Sequence, residues 1–255
     1  MDLPRNAFKH ALAEGRQQLG LWSQLSNGIA AEIIAGCGFD WIVLDMEHGP
    51  NDVASVVAQL QAMHGGTATA VVRPPWNEPV VIKRLLDSGA PALLLPFVQN
   101  REEAERAVAS TRYPPTGIRG VASVTRASRY GRVPNYLPNA ASEICVLVQV
   151  ETRTALDNLE AIASVPGVDG VFIGPSDLAA ALGHLGNAAH PEVQAAIADG
   201  LARLKRLGKP AGILTSVVAD AQRYIDAGFT FVAVGTDVGL LARGGENLLR
   251  TFRKG

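Results

Sequence analysis

Two acidic residues, Glu151 and Asp177, each follow an apolar, β-branched run, and about one helix of sequence separates the two runs. If the runs at 146–150 and 170–173 are neighbouring parallel strands, both carboxylates emerge at the same edge of the sheet. Each acid alone is more often found at a helix start than on a metal ion. Together they suit a hard divalent cation, with Mg²⁺ or Mn²⁺ preferred and Co²⁺, Ni²⁺ or Zn²⁺ left open.

Other residues able to do chemistry stand at the ends of the remaining apolar runs. In a parallel barrel those ends form one face, where active sites are built. Structural ion pairs would explain one or two of these residues, but not the whole set. The set contains Asp45, Glu47, His48, Arg73, Gln99, Gln149, Glu151, Ser176, Asp177, Leu214, Thr215 and Asp237.

Lysine placement limits the chemistry that this face can perform. None of the lysines lies at the carboxyl end of an apolar run; they are Lys9, Lys83, Lys205, Lys209 and Lys254. A Schiff-base mechanism therefore has no evident nucleophile. Chemistry beside a carbonyl group would depend on a metal ion and an arginine to stabilise an enolate.

The turn Gly174-Pro175-Ser176-Asp177 offers an anion site beside the expected metal. A helix predicted at 178–182 follows it, so the main-chain N–H groups of Ser176 and Asp177 would receive a carboxylate. A small 2-oxo acid would chelate the metal through its keto oxygen and one carboxylate oxygen. Its second carboxylate oxygen would then meet the turn.

Eight short apolar runs alternate with longer amphipathic segments, which is typical of βα units around a parallel sheet. Helical spacing of apolar residues occurs at 53–63 and 156–165, and Gly89, Gly208 and Gly228 follow predicted helix ends. The runs are Leu19–Trp22, Trp41–Met46, Ala68–Arg73, Ala92–Phe97, Ile144–Val150, Gly170–Ile173, Ala211–Leu214 and Phe231–Val234.

Eight such units within 255 residues predict an α/β fold, a single (β/α)8 TIM barrel domain over residues 1–255. A doubly wound open sheet is the alternative, but it would normally carry a glycine-rich loop after the first strand, and residues 19–25 have none. Residues 5–15 are predicted to form a short helix that plugs the bottom of the barrel.

Composition narrows the partners that the chain can have. A net charge of -1 gives no electrostatic basis for binding nucleic acid or an anionic membrane. No apolar run approaches the length of a membrane span, and the first residues lack the apolar core of a signal peptide, so we expect a cytoplasmic protein. Its two cysteines, Cys37 and Cys145, are expected to be buried free thiols.

One segment, Tyr113–Ala140, interrupts the alternation and has no sustained period. Loops of this length in compact domains are usually functional or interfacial. Its arginines, together with Arg112 just before it, would meet either an anionic substrate or another subunit, although a solvated loop remains open; they are Arg112, Arg119, Arg126, Arg129 and Arg132.

Over nearly its whole length, the chain resembles the metal-dependent (class II) pyruvate aldolases of the 4-hydroxy-2-oxoheptanedioate aldolase (HpcH/HpaI) family, within the phosphoenolpyruvate- and pyruvate-using barrels. No single motif would be specific, but their combination is. The matching segments are Gly20-Leu21-Trp22, 38–50, Val71-Val72-Arg73-Pro74, 112–120, Gln149-Val150-Glu151-Thr152-Arg153, 167–178 and 231–237.

The resemblance implies a role for several residues around the substrate. Glu151 and Asp177 match the ligands of the divalent metal, and Arg73 matches the group that stabilises the enolate oxygen of pyruvate. Gln149 matches a substrate-side residue, and Ser176 with Asp177 matches the main-chain carboxylate site. Leu214, at the end of the seventh run, is also expected to contact the substrate.

The resemblance also implies how protons move and how subunits assemble. His48 matches the catalytic histidine, which acts through a water molecule with acidic partners matching Asp45 and Asp87. From its position late in a helix, Asp87 would otherwise be read as a solvated surface acid. Family members are usually hexamers, described as dimers of trimers, that exchange a C-terminal helix, here residues 237–252. We therefore expect a homo-oligomer, either a trimer or a hexamer.

The expected reaction is reversible cleavage of a 4-hydroxy-2-oxo acid to pyruvate, or a related 2-oxo acid, and an aldehyde. One alternative is a lyase for malyl- or citryl-type coenzyme A esters, which would need a basic groove for the adenine nucleotide. A non-catalytic 2-oxo-acid-binding protein is the other. The segment 121–130 departs from the family pattern, so the identity of the aldehyde transfers least well.

Overall fold

Eight short parallel strands close into a barrel in which each strand pairs with the next and the last pairs with the first. The computed structural model describes residues 1–253. The predicted TIM barrel is confirmed. The strands are β1 Gln18–Ser23, β2 Trp41–Asp45, β3 Thr69–Arg73, β4 Ala92–Leu95, β5 Cys145–Val150, β6 Gly170–Ile173, β7 Ala211–Leu214 and β8 Phe231–Thr236.

Helices follow the strands and cover the outside of the barrel. Most begin at a side-chain cap, for example Asn27, Asp52 and Asn100, whose oxygens accept first-turn N–H groups. The helices are α1 Ala7–Ala13, α2 Gly28–Ala35, α3 Val53–Ala62, α4 Pro79–Asp87, α5 Arg101–Ser110, α6 Tyr136–Glu143, α7 Arg153–Asp157, α8 Leu159–Ala163, α9 Pro175–Ala181, α10 Pro191–Arg206, α11 Val218–Ala227 and α12 Asp237–Phe252.

Three local expectations differ from the structure. The periodic segment after β5 forms two helices, because the chain turns at Asn158, whose side chain donates to the carbonyl of Gln99. The helix after β6 begins at Pro175 rather than Leu178, because proline suits the first helical position. Cys37 is exposed, since it lies in the turn after α2, whereas Cys145 is buried in β5.

Large aromatic side chains fill the inside of the barrel. The first helix, α1, closes the bottom, and the Phe8 ring lies 5.5 Å from that of Trp41 and 5.9 Å from that of Phe231. Glycines leave room for these rings. A Cβ added at Gly20 would clash with the Trp41 ring, and one added at Gly212 would clash with the Phe231 ring.

Strand register decides which polar residues become neighbours at the top. Asp45 and Arg73, the last residues of β2 and β3, are directly paired, and Gln149 in β5 pairs with Phe172 in β6. Within residues 1–253, no helix combines the length and the apolar character that crossing a membrane requires.

The packing of Gly212 against Phe231 generates a stability prediction. Gly212→Ala is expected to lower the free energy of unfolding by about 1–3 kcal/mol, because the added methyl group overpacks the core. Urea unfolding followed by circular dichroism measures this change. Gly65→Ala is the matched control, since Gly65 lies in the exposed turn after α3 with no atom near the added Cβ. That variant should be neutral or slightly stabilising, and an equal effect of both variants would contradict the packing argument.

Candidate active site

A cavity of about 540 Å³ opens at the carboxyl ends of the strands. Its floor includes Trp22 and Phe172 from inside the barrel, and its rim includes the segment 214–217 after β7. Six of the residues to which the sequence analysis assigned a catalytic, substrate or metal role line it: His48, Arg73, Gln149, Ser176, Asp177 and Leu214. These residues come from five different strand ends, as expected of a site at the top of a barrel.

An ion pair between Asp45 and Arg73 lies at the base of this cavity. Arg73 Nε donates to Asp45 Oδ1 at 2.9 Å and Nη2 donates to Oδ2 at 2.8 Å, so the contact is bidentate. Both residues are buried. Burial alone would raise the pKa of Asp45, but the hydrogen bonds and charge of Arg73 outweigh it, and the pKa is lowered. The carboxylate therefore stays ionised and fixes the guanidinium.

Asp45 also organises the chain around it. Its oxygens accept from Trp22 Nε1 and Gln24 Nε2, and from the main-chain N–H groups of Glu47 and His48. The contact with His48 is to the main chain and not to the imidazole ring, which is exposed at the cavity. In this chain, Asp45 therefore positions the loop that carries His48.

Glu151 lies behind the cavity wall, buried immediately after β5. Its carboxylate accepts from the main-chain N–H of Phe97, at 2.9 Å, and from the Gln149 side chain. Burial, reinforced by the charges of Asp177 and Glu47, raises the pKa of Glu151 to about 7, although the hydrogen bond from Gln149 opposes the shift. The carboxylate thus lacks a sufficient positive partner among the described residues.

Glu47 received no role from the sequence, yet it belongs to this electrostatic cluster. Its Oε2 lies 2.7 Å from Arg73 Nη1, and burial raises its pKa despite that contact. The nearby charge of Asp177 raises it further. The sequence signal that could have revealed its role was the two-residue spacing from Asp45, because residues two apart in an extended chain lie on the same side.

Gln24 and Asp237 are two further residues whose roles the sequence did not reveal. Buried Asp237 opens α12 and accepts from Ser23 Oγ and from the main-chain N–H groups of Gln24 and Leu25. Gln24 in turn donates to Asp45 and lines the cavity. Asp237, at the start of α12, thus holds the chain that follows β1, and Gln24 in that chain contacts the Asp45–Arg73 ion pair.

Asp87 is the one predicted site residue that lies apart from the others. It ends α4, the helix that runs from the top of the barrel to its bottom, and its Oδ1 accepts from buried Arg119 at 2.8 Å. It does not line the cavity. Within one chain, the structure therefore does not bring Asp87 together with His48.

A second group of ligand-type residues lies on the segment before and within α10. His184, His190 and Glu192 have ligand atoms within 4.8 Å of one another. The two imidazole rings stack with centroids 3.5 Å apart and planes inclined by 16°. Because imidazole lone pairs lie in the ring plane, stacked parallel rings cannot both point at one ion. His190 instead caps α10 by accepting from the Glu192 N–H.

Known proteins resemble this chain over its whole length. A pyruvate aldolase from Rhizobium etli is 58% identical over 252 residues, covering 99% of both chains. A 4-hydroxy-2-oxo-heptane-1,7-dioate aldolase from Salmonella heidelberg is 56% identical, covering 97% of this chain and 95% of that protein. Among solved structures, an HpcH/HpaI aldolase/citrate lyase family protein from Burkholderia cenocepacia has a TM-score of 0.95 at 41% identity, covering 98% of this chain and all of that one.

Family assignment follows from these similarities together with the barrel and its cavity. The family described as HpcH/HpaI aldolase/citrate lyase matches residues 18–244, from the first strand into the last helix. The resemblance predicted from the motifs is confirmed, and the chain belongs to the HpcH/HpaI aldolase/citrate lyase family.

Proposed function

We propose that this chain is a divalent-metal-dependent aldolase that reversibly cleaves a 4-hydroxy-2-oxo acid to pyruvate, or a related 2-oxo acid, and an aldehyde. Relatives that are 54–58% identical are named aldolases, which places the chain among carbon–carbon lyases. These names support a coenzyme A ester lyase or a non-catalytic binding protein less well. The proposal depends on one observation: buried Arg73 and a cluster of carboxylates adjoin a single cavity with no lysine in its wall.

We infer that Glu151 and Asp177 hold the metal. The family is generally dependent on a divalent metal. The residues fit a hard cation for two reasons. Glu151, Glu47 and Asp177 repel one another's negative charge, and Gly174 provides a space that a Cβ would fill at 2.6 Å from Glu151 Oε2. Carboxylate oxygens favour Mg²⁺ or Mn²⁺. When bound, the cation would act as a Lewis acid toward the carbonyl group of the 2-oxo acid.

Arg73 is the second positive charge in the proposed reaction. Its Nε and Nη2 donate to Asp45, its Nη1 lies 2.7 Å from Glu47 Oε2, and the side chain lines the cavity. Because the two carboxylates already fix the guanidinium, it needs no reorganisation when negative charge develops on the substrate oxygen. Removal of a preorganised donor of this kind typically costs about 10²–10³ in kcat.

His48 is the residue that we assign to proton transfer. The ring is exposed at the cavity and its loop is tied to Asp45, so it can take the proton of the 4-hydroxyl group as the C–C bond breaks. Gln149 and the main-chain N–H groups of Ser176 and Asp177 would orient the 2-oxo acid. The role of Asp87 as a partner of His48 stays a prediction, as does the cytoplasmic location.

A hydrogen-exchange experiment tests the enolate step. In heavy water, the chain with Mn²⁺ should exchange the methyl protons of pyruvate for deuterium, as followed by NMR, and a chelator should abolish the exchange. Asp177→Asn should abolish it as well, because one ligand oxygen is lost. Asp199→Asn, at an exposed carboxylate of α10, is the matched control and should exchange normally. Exchange that persists in Asp177→Asn would remove Asp177 from the metal site, and exchange without C–C bond formation across a panel of aldehydes would contradict an aldolase.

The raised pKa of Glu151 makes metal binding dependent on pH. Because the neutral carboxyl group cannot bind the cation, the affinity for Mn²⁺ should fall by nearly tenfold per pH unit below about 7, with a proton released on binding. Without metal, the same shift should destabilise the fold as the pH rises from 4.5 to about 7. Calorimetric titration of Mn²⁺ between pH 8 and 6 measures the first effect. Equal affinities across this range, or unaltered binding by Glu151→Gln, would contradict the assignment.

We further propose a homo-oligomer, a trimer or hexamer, that buries the apolar face of α12. This helix exposes Leu241 and Leu248 to 68% and 64%, and exposed apolar patches commonly mark interfaces. Light scattering coupled to gel filtration should give the mass of three or six chains for the wild type. Leu241→Glu/Leu248→Glu should lower that mass, whereas Asn247→Glu on the same helix should not. A monomeric wild-type chain would contradict the proposal.

A further inference from the structure

A second cavity, of about 550 Å³, opens at the opposite end of the barrel from the candidate active site. Its wall includes Thr69 and Ala70 at the start of β3, Gly89 and Pro91 before β4, and the segment 126–132. Its size falls within the usual range for small-molecule sites. The proposed aldolase reaction makes no use of it.

The charge of this cavity is entirely of one sign. Four arginines and a histidine line it, and its wall contains no carboxylate; these residues are Arg5, Arg126, Arg129, Arg132 and His64. Among residues 1–253, none of the four arginines forms a salt bridge. Of the four, Arg126 is half-buried, whereas Arg5, Arg129 and Arg132 are exposed. Four positive charges around one cavity whose wall contains no carboxylate create a positive potential that attracts an anion.

Arg126 is held in place by main-chain carbonyls rather than by an acid. Its Nη1 donates to Ser88 O at 2.8 Å and its Nη2 donates to Leu60 O at 3.3 Å, at the ends of α4 and α3. Half-buried without a carboxylate, it has a pKa lowered chiefly by burial. The guanidinium is therefore fixed and keeps its charge available to the cavity.

Arg129 and Arg132 lie on a turn whose backbone is strained and fixed by hydrogen bonds. Arg129 and Tyr130 both adopt left-handed backbone angles, with φ of 50° and 58°, which cost free energy for residues other than glycine. Buried Ser128 stabilises this turn, because its Oγ accepts from Gly131 N and donates to the Ser123 or Thr125 carbonyl. The turn brings Arg126, Arg129 and Arg132 to one cavity wall.

We propose that this cavity binds a small organic anion carrying two phosphate groups. Each phosphate group has a charge of about −1.5 to −2 at pH 7, so two of them offset four guanidinium groups, whereas a dicarboxylate offsets only half. Arginine binds phosphate through paired N–H donors. The apolar residues Leu60, Met63 and Pro91 on the same wall accommodate the carbon skeleton between the phosphates.

Calorimetric titration of the Mg²⁺-loaded chain with fructose 1,6-bisphosphate, used as a probe, tests the site. We expect saturable binding at 0.15 M NaCl that is about tenfold or more weaker for fructose 6-phosphate and for citrate. The double variant Arg129→Gln/Arg132→Gln should weaken binding of the bisphosphate by about tenfold or more, because two phosphate contacts are lost. Neither residue contacts the candidate active site.

The matched control removes two exposed arginines elsewhere, Arg106→Gln/Arg206→Gln, and should bind the probe within about twofold of the wild type. Absence of saturable binding to the wild type would overturn the proposal. Equal weakening in both double variants would also overturn it, since only net charge would then matter. Preferred binding of citrate would overturn the assignment to a bisphosphate.

Discussion

The bidentate contact between Asp45 and Arg73 is the interaction on which the upper half of this barrel depends. A buried guanidinium is stable only beside a fixed counter-charge, and the register of β2 and β3 supplies one by pairing the two residues directly. The same carboxylate ties the chain after β2 to the sheet and reaches Gln24, which Asp237 supports from the last helix. Elements at both ends of the sequence are thus joined through one acid.

Around this pair the negative charges of the carboxylates exceed the positive charge of Arg73. Arg73 compensates Asp45 and partly compensates Glu47, while burial keeps the pKa of Glu151 raised and no cationic side chain among residues 1–253 pairs with it. A site built in this way is destabilised when empty and stabilised by a positively charged ligand. Gly174, which has no Cβ, leaves space beside the Glu151 carboxylate for such a ligand. Binding of a cation would therefore relieve this repulsion and stabilise the fold.

Much of this architecture is predictable from the sequence, and the remainder has identifiable physical causes. The eight apolar runs predicted the strands, because β-branched stretches of this length between helical segments have few other solutions, and strand ends then indicated Arg73, Gln149 and Glu151. The roles of Glu47, Gln24 and Asp237 were missed because they depend on contacts between residues distant in sequence. The break at Asn158 and the exposure of Cys37 were missed because they depend on one side-chain contact and one turn. The position of Asp87 beside Arg119 depends on where α4 ends in space.

The aromatic column inside the barrel has an optical consequence. Trp41 is sealed between Phe8 and Phe231, whereas Trp22 lies 6.5 Å from it with one edge on the cavity and Arg73 above its ring at 4.9 Å. Indole emission responds to nearby charge and to water, so the two buried tryptophans report on different environments. Trp41 senses the closed lower core and Trp22 senses the contents of the site. Trp22 emission therefore reports on the site, and Trp41 emission provides an internal reference within the same barrel.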